Sequence, residues 1–358
     1  MGISPLFARR LDSSKSRIGL VLGLSLGLSG MVAAMNDAGS ALARGDLATA
    51  FRLFSQRAEA GDPIAENNLG VLYLKGQGTQ RDFGFARVWF ERAAARGLPG
   101  AKHNLGIMYL RGYGMSKDPV VAAQWLGAAA ADGDREAQFF SGLLCYRGTG
   151  VPRDLALARS WFTRAADQGV TAAAYNLAVM QLKGEGGTRD EGQARAYLEQ
   201  AQYTSTAAAL LLGELHLQQA DQPGRGNLAL AIFKPLAEAG NPAAQFQLGM
   251  MYVFGQGTGQ DVEEGRFWLQ QASHLGSAVA QLNLGNLYAR GLGVTPDPVE
   301  AAAWYTLAAA NGEPIADRNL QKLRRQLSGA QIAQAANLVT TLREKHASAV
   351  RQPGPVPE

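Results

Sequence analysis

Apolar and polar residues follow a pattern that repeats along most of the chain with a period of 35 or 36 residues. Residues 101–136 show one copy of this unit. Its first half carries Leu105 and Met108 at helical spacing, and its second half carries Ala122, Trp125 and Ala129 on one face. Each copy therefore predicts two amphipathic helices, which we call helix A and helix B of a repeat. Self-similarity at such a period is typical of solenoids.

Two columns of equivalent residues define the repeat. A column inside helix A is glycine in all copies but one: Gly70, Gly106, Gly142, Ala178, Gly213, Gly249 and Gly285. A column in helix B lies nineteen residues later and holds all five tryptophans: Trp89, Trp125, Trp161, Tyr197, Ile232, Trp268 and Trp304. Glycine inside a helix costs about 1 kcal/mol relative to alanine. Because alanine replaces it once, the shared property is small size, and we expect the tryptophan-bearing helix to cross helix A closely there.

The ends of the helices carry their own signals. In residues 101–136, Gly112 suits a left-handed C-cap of helix A. Asp118 can begin helix B by accepting free backbone N–H groups, and Pro119 suits the first helical position. Gly133 marks the end of helix B.

The combined pattern of Leu-Gly-x-x-Tyr, Gly-x-Gly, Asp, Ala and Trp resembles the Sel-one-like repeat (SLR) family, an α-solenoid relative of the tetratricopeptide repeats. The resemblance covers Ala65 to about Ile315. It implies a superhelix with a concave groove used for protein–protein contacts, and it implies no reaction. We therefore expect an all-α fold, a right-handed α-solenoid of about seven 36-residue helix-turn-helix repeats with capping helices at both ends.

The segments outside the repeats complete the predicted domain order. Residues 1–34 are interpreted as a signal peptide, because basic residues precede an apolar run and the small residues of Val32-Ala33-Ala34. An uncleaved inner-membrane anchor is the alternative, although the run is short and glycine-rich for a membrane span. Residues 35–64 are interpreted as an N-terminal half repeat, 65–315 as seven repeats, 316–346 as basic capping helices, and 347–358 as a disordered tail.

Charge argues against a nucleic-acid partner. The formal net charge is +4 for the whole chain, and residues 1–34 hold four basic residues and one acid, a net of +3. Removing them leaves about +1, so the high isoelectric point belongs largely to the predicted signal. We expect a periplasmic or secreted protein with no membrane span after signal removal. Nothing in the sequence sets its oligomeric state.

No catalytic or metal-binding pattern is present in the sequence. The single cysteine, Cys145, falls in a column of tyrosines and is predicted to be a buried hydrophobe. The histidines lie in four different units, and His216 is expected to be a packed, hydrogen-bonded ring. Ser-x-x-Lys is absent, and the Gly-x-Ser-x-Gly at residues 23–27 lies in the apolar run of the predicted signal peptide, where no nucleophile elbow is expected. We predict no enzyme activity, cofactor or metal. A β-lactam hydrolase is the third alternative, because some cysteine-rich relatives are associated with β-lactams.

Two polar columns of helix A are the candidate partner-binding residues. Two residues before the glycine column lie Asn68, Asn104, Asn176 and Asn283, with Gln247 in the sixth copy; five residues after it lie Lys75, Arg111, Arg147, Lys183 and Arg290. Seven residues make about two turns, so both columns share one side of the helix. Their structural alternatives are asparagines that tie backbones together and cations that complement the helix dipole.

These columns support one functional prediction and its alternatives. If helix A lines the groove, the columns would bind an extended or acidic segment of a protein partner. We predict a non-enzymatic scaffold or adaptor of the bacterial envelope, and the resemblance suggests partners in signalling or exopolysaccharide machinery. Binding of an anionic polysaccharide is the alternative.

The fourth and fifth copies are irregular. The junction 197–227 lacks the usual capping glycine and the Asp N-cap. Sequence drift explains this, and a docking loop at residues 218–226 is the functional alternative. We predict that this junction is the least stable part of the repeat array.

Overall fold

The computed structural model describes residues 37–351, with side-chain surroundings given up to residue 344. Regular structure in this range is entirely helical. The helices are α1 (Asp37–Ala43), α2 (Leu47–Glu59), α3 (Pro63–Lys75), α4 (Phe83–Ala95), α5 (Pro99–Arg111), α6 (Pro119–Ala131), α7 (Arg135–Arg147), α8 (Leu155–Asp167), α9 (Thr171–Lys183), α10 (Glu191–Ala201), α11 (Thr206–Gln218), α12 (Arg225–Glu238), α13 (Pro242–Phe254), α14 (Val262–His274), α15 (Ala278–Arg290), α16 (Pro298–Ala310), α17 (Pro314–Arg324) and α18 (Gly329–Arg351).

The predicted all-α solenoid of helix pairs is confirmed. Helices α3 to α16 form seven consecutive A–B pairs, which match the seven copies read from the sequence. The chain divides into two compact units, and the boundary lies between Ser205 and Thr206. The N-terminal unit contains α1–α10, and the C-terminal unit contains α11–α18.

The terminal segments differ in detail from the predicted boundaries. The segment predicted as a half repeat contains two helices, α1 and α2. At the other end α18 extends to Arg351, beyond the predicted limit of the cap at residue 346. The predicted signal peptide, residues 1–34, and residues 352–358 of the predicted tail lie outside the described residues.

The helix-end signals work as the sequence indicates. Gly112 adopts a left-handed conformation with φ of 73°, and its N–H donates to the Met108 carbonyl at the end of helix A. The Asp118 carboxylate accepts N–H groups from Val120 and Val121, both at 3.0 Å. Equivalent aspartates begin helix B in five other repeats: Asp82, Asp154, Asp190, Asp261 and Asp297.

The glycine column marks a close crossing with helix B of the same repeat. A Cβ atom added at Gly142 would lie 2.7 Å from the ring of Phe162, which is too close for an undisturbed contact. The predicted helix is correct, but the residue that fills the space follows the tryptophan column by one position. This buried column holds Phe90, Leu126, Phe162, Leu198, Phe233, Leu269 and Tyr305.

The tryptophans lie at a different place in the packing. Except for buried Trp304, they are only partly buried. Trp125, for example, packs against a core cluster that contains Leu74 and Phe90 of the preceding repeat and Leu105 of its own repeat. Helix B therefore uses one column to close its own repeat and the adjacent column to pack against the core between consecutive repeats.

Candidate binding surface

The A–B loops place a recurring set of residues at the end of helix A. In each regular repeat the N–H of the aspartate that begins helix B donates to a carbonyl in the last turn of helix A. The distance is 3.0 Å from Asp82 to Tyr73 and 2.9 Å from Asp154 to Cys145. This bond folds the loop back onto the helix end, so the last residues of helix A and those before the aspartate lie together.

Consecutive A–B loops are also in contact. A Cβ atom at Gly150 would lie 1.9 Å from the carbonyl oxygen of Pro119, the first residue of the preceding helix B. Gly186 approaches Leu155 of the preceding repeat in the same way, at 2.2 Å. The loops of the N-terminal unit therefore form a continuous surface, which we call the loop edge: the last residue of helix A, the A–B loop and the first turn of helix B.

The predicted basic column lies on the surface at the end of helix A. Lys75, Arg147 and Arg290 are exposed, whereas Arg111 and Lys183 are partly buried. Four of the five cations belong to consecutive repeats of the N-terminal unit. Among the described residues, Lys75, Arg111 and Arg147 make no ion pair with a carboxylate.

The predicted asparagine column lies behind that surface. Asn68, Asn104 and Asn176 are 7%, 2% and 6% exposed, because neighbouring helices cover them. The Asn104 side-chain amide donates to the side-chain amide oxygen of Asn67, in the preceding helix A, at 2.9 Å. Partly buried Asn283 donates to the backbone oxygen of Val279 in its own helix. The structure therefore separates the two columns, with asparagines inside the helix stack and cations outside it.

A second set of polar residues, which the sequence reasoning missed, connects the turns between helices. The residue four positions before the glycine column of helix A is polar in several repeats. Its side chain contacts the residue thirty positions later, at the end of helix B. The contacts are Glu66 with Arg96, Lys102 with Asp132, Gln138 with Gln168, and Gln281 with Asn311. The sequence signal for these contacts was a polar residue that recurs with the repeat on an otherwise apolar face of helix A.

Two tyrosines make hydrogen bonds between repeats. The Tyr146 hydroxyl donates to Glu185 at 3.0 Å, and the Tyr197 hydroxyl donates to Asp167 at 2.9 Å. Burial and the adjacent carboxylate raise the pKa of Tyr146 to about 12, and the same two causes raise the pKa of Tyr197 to about 12. Both hydroxyls remain protonated near neutral pH and act as structural donors.

The remaining titratable candidates have structural surroundings. Cys145 is buried, which, together with the Asp154 charge, raises the pKa of its thiol. His216 is buried, and its Nδ1 lies 3.2 Å from a guanidinium nitrogen of Arg225, as expected for a packed and hydrogen-bonded ring. Within residues 37–351 no group of three His, Cys, Asp or Glu side chains is arranged to hold a metal ion.

In the same range, no helix has both the length and the apolar character needed to cross a bilayer.

Comparison with known proteins agrees with this architecture. The family model described as Sel1 repeat matches residues 63–98, 99–134, 135–170, 171–201, 242–277 and 278–313, more than half of the chain. The fifth copy, formed by α11 and α12, has no match to the family model. A search of curated proteins gave no significant match.

Two solved structures are similar over most of the chain. A Sel1 repeat protein from Oxalobacter formigenes is 29% identical, with a TM-score of 0.55, over 90% of this chain and 91% of that one. The protein c5321, a protective antigen present in uropathogenic Escherichia coli strains and displaying an SLR fold, is 26% identical. Its TM-score is 0.54, and the match covers 87% of this chain and 76% of that one.

Proposed function

Because the chain belongs to the Sel1 repeat family, we propose that it is a non-enzymatic protein–protein interaction scaffold of the bacterial envelope. Sel1 repeat proteins are generally protein-interaction scaffolds, and their fold is typically non-catalytic. The location in the envelope is supported by the order of basic, apolar and small residues in 1–34, which is typical of a signal peptide.

The observation that carries the proposal is the basic column, exposed or partly buried, at the ends of consecutive helices A. Lys75, Arg111, Arg147 and Lys183 occur at one position in four successive repeats. Cations at such positions can form charge-assisted hydrogen bonds with carboxylates of a partner. We place the partner's acidic segment against these cations, with the asparagines supporting the helices from behind.

The proposal is tested by crosslinking the protein in cells, followed by mass spectrometry of envelope extracts. Recovery of one envelope protein, crosslinked through lysines of the N-terminal unit such as Lys75, supports the scaffold. Recovery of glycan without protein contradicts it and supports the anionic-polysaccharide alternative. Turnover of a β-lactam by the purified protein would contradict the non-enzymatic assignment.

The envelope location makes a separate prediction about the mature protein. We expect cleavage after the small residues Val32-Ala33-Ala34, so that the mature chain begins near Met35. Intact mass measurement of protein from the native envelope fraction checks this. A full-length species embedded in the inner membrane would instead show that the N-terminal segment is an anchor.

A further inference from the structure

A second basic column lies beside the first one in the N-terminal unit. The residue before the aspartate that begins helix B is a cation in four consecutive repeats: Arg81, Lys117, Arg153 and Arg189. All four are exposed. Each lies close to the C-cap glycine that follows a cation of the first column. A Cβ atom at Gly76 would lie 3.1 Å from Cβ of Arg81, and one at Gly112 would lie 2.9 Å from Cγ of Lys117. Each of these repeats therefore presents a pair of cations on the loop edge.

The C-terminal unit shows that the fold does not require these charges. At the position of the second column it carries Gly224, Gln260 and Pro296, and at the first it carries Gln218, Phe254 and Arg290. In the N-terminal unit the Arg153 Nε donates to the Tyr146 carbonyl at 3.1 Å. The Gln260 amide makes the equivalent bond to the Val253 carbonyl at 2.9 Å. A neutral donor can therefore cap the helix end, and the positive charge is available for another role.

In the part of the chain that the structure describes, the aspartates that follow the second column do not form ion pairs with its cations. The carboxylates of Asp82, Asp118, Asp154 and Asp190 accept backbone N–H groups of the first turn of helix B. They are thus directed at the positive end of a helix dipole. Arg189 approaches Glu191 at 3.6 Å, whereas Lys117, within the described residues, has no ion-pair partner.

Apolar side chains accompany the cations. Phe85, Val120 and Leu157 lie in the first turn of helix B in three consecutive repeats and are 55%, 54% and 44% exposed. Large aliphatic and aromatic groups exposed beside cations suit a partner that has both acidic and apolar side chains. A polyanionic sugar would use the charges and leave these apolar groups in water, so the surface favours a polypeptide.

The spacing of the pairs suits an extended chain. Helices A of consecutive repeats are in contact through the Asn104–Asn67 hydrogen bond. Helices in contact lie about 8–10 Å apart, so successive repeats place their cation pairs on the order of 10 Å apart. A polyproline II segment advances roughly 9 Å per turn of three residues. An acidic residue at every third position would therefore meet one cation pair per repeat.

We propose that the loop edge of the N-terminal unit binds an extended acidic and apolar peptide segment, with the paired cations holding its carboxylates and Phe85, Val120 and Leu157 contacting its apolar side chains. This inference rests on the proposed scaffold function and identifies the surface and the chemistry of the partner. The eight cations are Lys75, Arg81, Arg111, Lys117, Arg147, Arg153, Lys183 and Arg189.

The test uses the full chain and a fluorescent peptide of six Glu-Val-Pro repeats, which favours the polyproline II conformation. The edge variant combines Arg81→Gln, Lys117→Gln, Arg153→Gln and Arg189→Gln, because Gln260 shows that glutamine fits this position. The control variant removes the same charge elsewhere, through Arg44→Gln, Arg52→Gln, Arg135→Gln and Lys234→Gln, all at exposed positions. Fluorescence anisotropy gives the dissociation constants, and circular dichroism checks the fold.

We expect the edge variant to bind the peptide at least roughly tenfold more weakly than wild type and the control variant to bind within about twofold of it. Replacing valine by serine in the peptide should also weaken binding, since the apolar contacts are lost. Equal binding by the edge and control variants would overturn the site. Equal binding of the valine and serine peptides would overturn the proposed apolar contacts.

Two further outcomes separate this inference from the scaffold function. If an oligogalacturonate binds through the loop edge and the peptide does not, the polypeptide occupant is overturned. If wild type binds neither probe, the acidic chemistry is overturned. In both cases the crosslinking experiment still decides independently whether the chain has a protein partner.

Discussion

The glycine of helix A sets how closely the two helices of a repeat approach each other. At Gly142 the space that a side chain would need is occupied by the buried ring of Phe162. Since interiors are close-packed, an added methyl group must displace that ring or separate the helices. The cost of glycine within the helix is therefore offset by the close contact that it allows.

We predict that Gly142→Ala lowers the free energy of unfolding by about 1–3 kcal/mol, as is typical of overpacking. The matched control is Gly127→Ala in α6, where an added Cβ has no neighbour within 4 Å. That change should stabilise the protein by up to about 1 kcal/mol, because alanine is the better helix former. Urea melts of both variants measure the difference. Equal stability of Gly142→Ala and wild type would refute the close-crossing explanation.

Asp134 is a buried charge at the start of α7. Its carboxylate accepts the Ala137 N–H at 2.7 Å and lies 3.4 Å from Nδ1 of His103. Burial acts to raise the pKa of Asp134, but the hydrogen bond and charge of His103, with backbone N–H groups, outweigh it and lower the pKa below its usual value. The ionised form therefore stabilises the fold above the unfolded pKa of about 4, and this contribution is lost as the pH falls through the folded pKa.

We predict that Asp134→Asn lowers the free energy of unfolding by about 1 kcal/mol near neutral pH. The cap itself should survive, because Asn241 caps α13 at the equivalent position. The difference from wild type should shrink as the pH falls below about 4, the unfolded pKa, and through the lowered pKa of the folded wild-type carboxylate. Urea melts at about pH 7 and about pH 3 give the comparison. The same difference at both values would mean that packing rather than charge is responsible.

At the scale of the helices, helix B of the other six repeats begins at an aspartate that accepts backbone N–H groups, whereas α12 does not. Gly224 precedes α12 without a side-chain hydrogen bond, and Pro235 within the helix removes one backbone donor. Helix α10, before the unit boundary, has 11 residues instead of the usual 13. In a repeat array, stability is a sum of local terms, so weak helix ends should have local effects.

We predict faster amide hydrogen exchange in residues 197–227 than in residues 101–136. The second segment has a glycine C-cap at Gly112 and an aspartate N-cap at Asp118, and it serves as the internal control. Exchange followed by mass spectrometry at peptide resolution measures both segments in one sample. Uniform protection would contradict the prediction.

Helix order and caps could be predicted from the sequence because they depend on local chemistry that recurs every 36 residues. Two features could not. The tryptophan column and the column after it are both apolar and differ by 100° around helix B, so periodicity alone does not decide which one faces helix A. The second basic column lies in the loops, where the helical period does not apply, and only the backbone bond to the helix end brings its residues beside the first column.

Burial of the asparagines was a further limit. Asn104 and Arg111 share one side of α5, and from the sequence both could face a partner. In the structure the middle of the helix is covered by its neighbours while its end is not, so Asn104 is buried and Arg111 reaches the surface. Position along a helix, and not only around it, decides exposure in a stack of equal helices.

At the scale of the whole molecule, the two units carry different charge at equivalent positions. The N-terminal unit has a cation at both basic columns in every regular repeat, and the C-terminal unit replaces most of them by neutral residues. We therefore assign partner binding to the N-terminal unit and expect the association to weaken with added salt.

Once a protein partner is identified, we predict that Arg111→Glu, Arg147→Glu and Lys183→Glu together weaken its binding at least tenfold, about 1.4 kcal/mol. Helical circular dichroism should remain near that of wild type. Charge reversal at Arg44, Arg52 and Arg135, outside the basic columns, is the matched control. If affinity holds while the fold loosens, the cations serve as helix caps, and residues 218–226 become the next candidate surface.

The close contact between helix A and helix B also restricts the order in which a repeat can change during evolution. Gly142 faces the ring of Phe162, and Gly106 faces Leu126. The single alanine of the column, Ala178, belongs to the repeat whose helix B carries Leu198. A rigid ring cannot yield to a new methyl group, but a leucine can turn about its torsions. A repeat with glycine and phenylalanine therefore changes to one with alanine and leucine most easily if the phenylalanine is replaced first. Whether alanine is then tolerated at the glycine position depends on that earlier substitution.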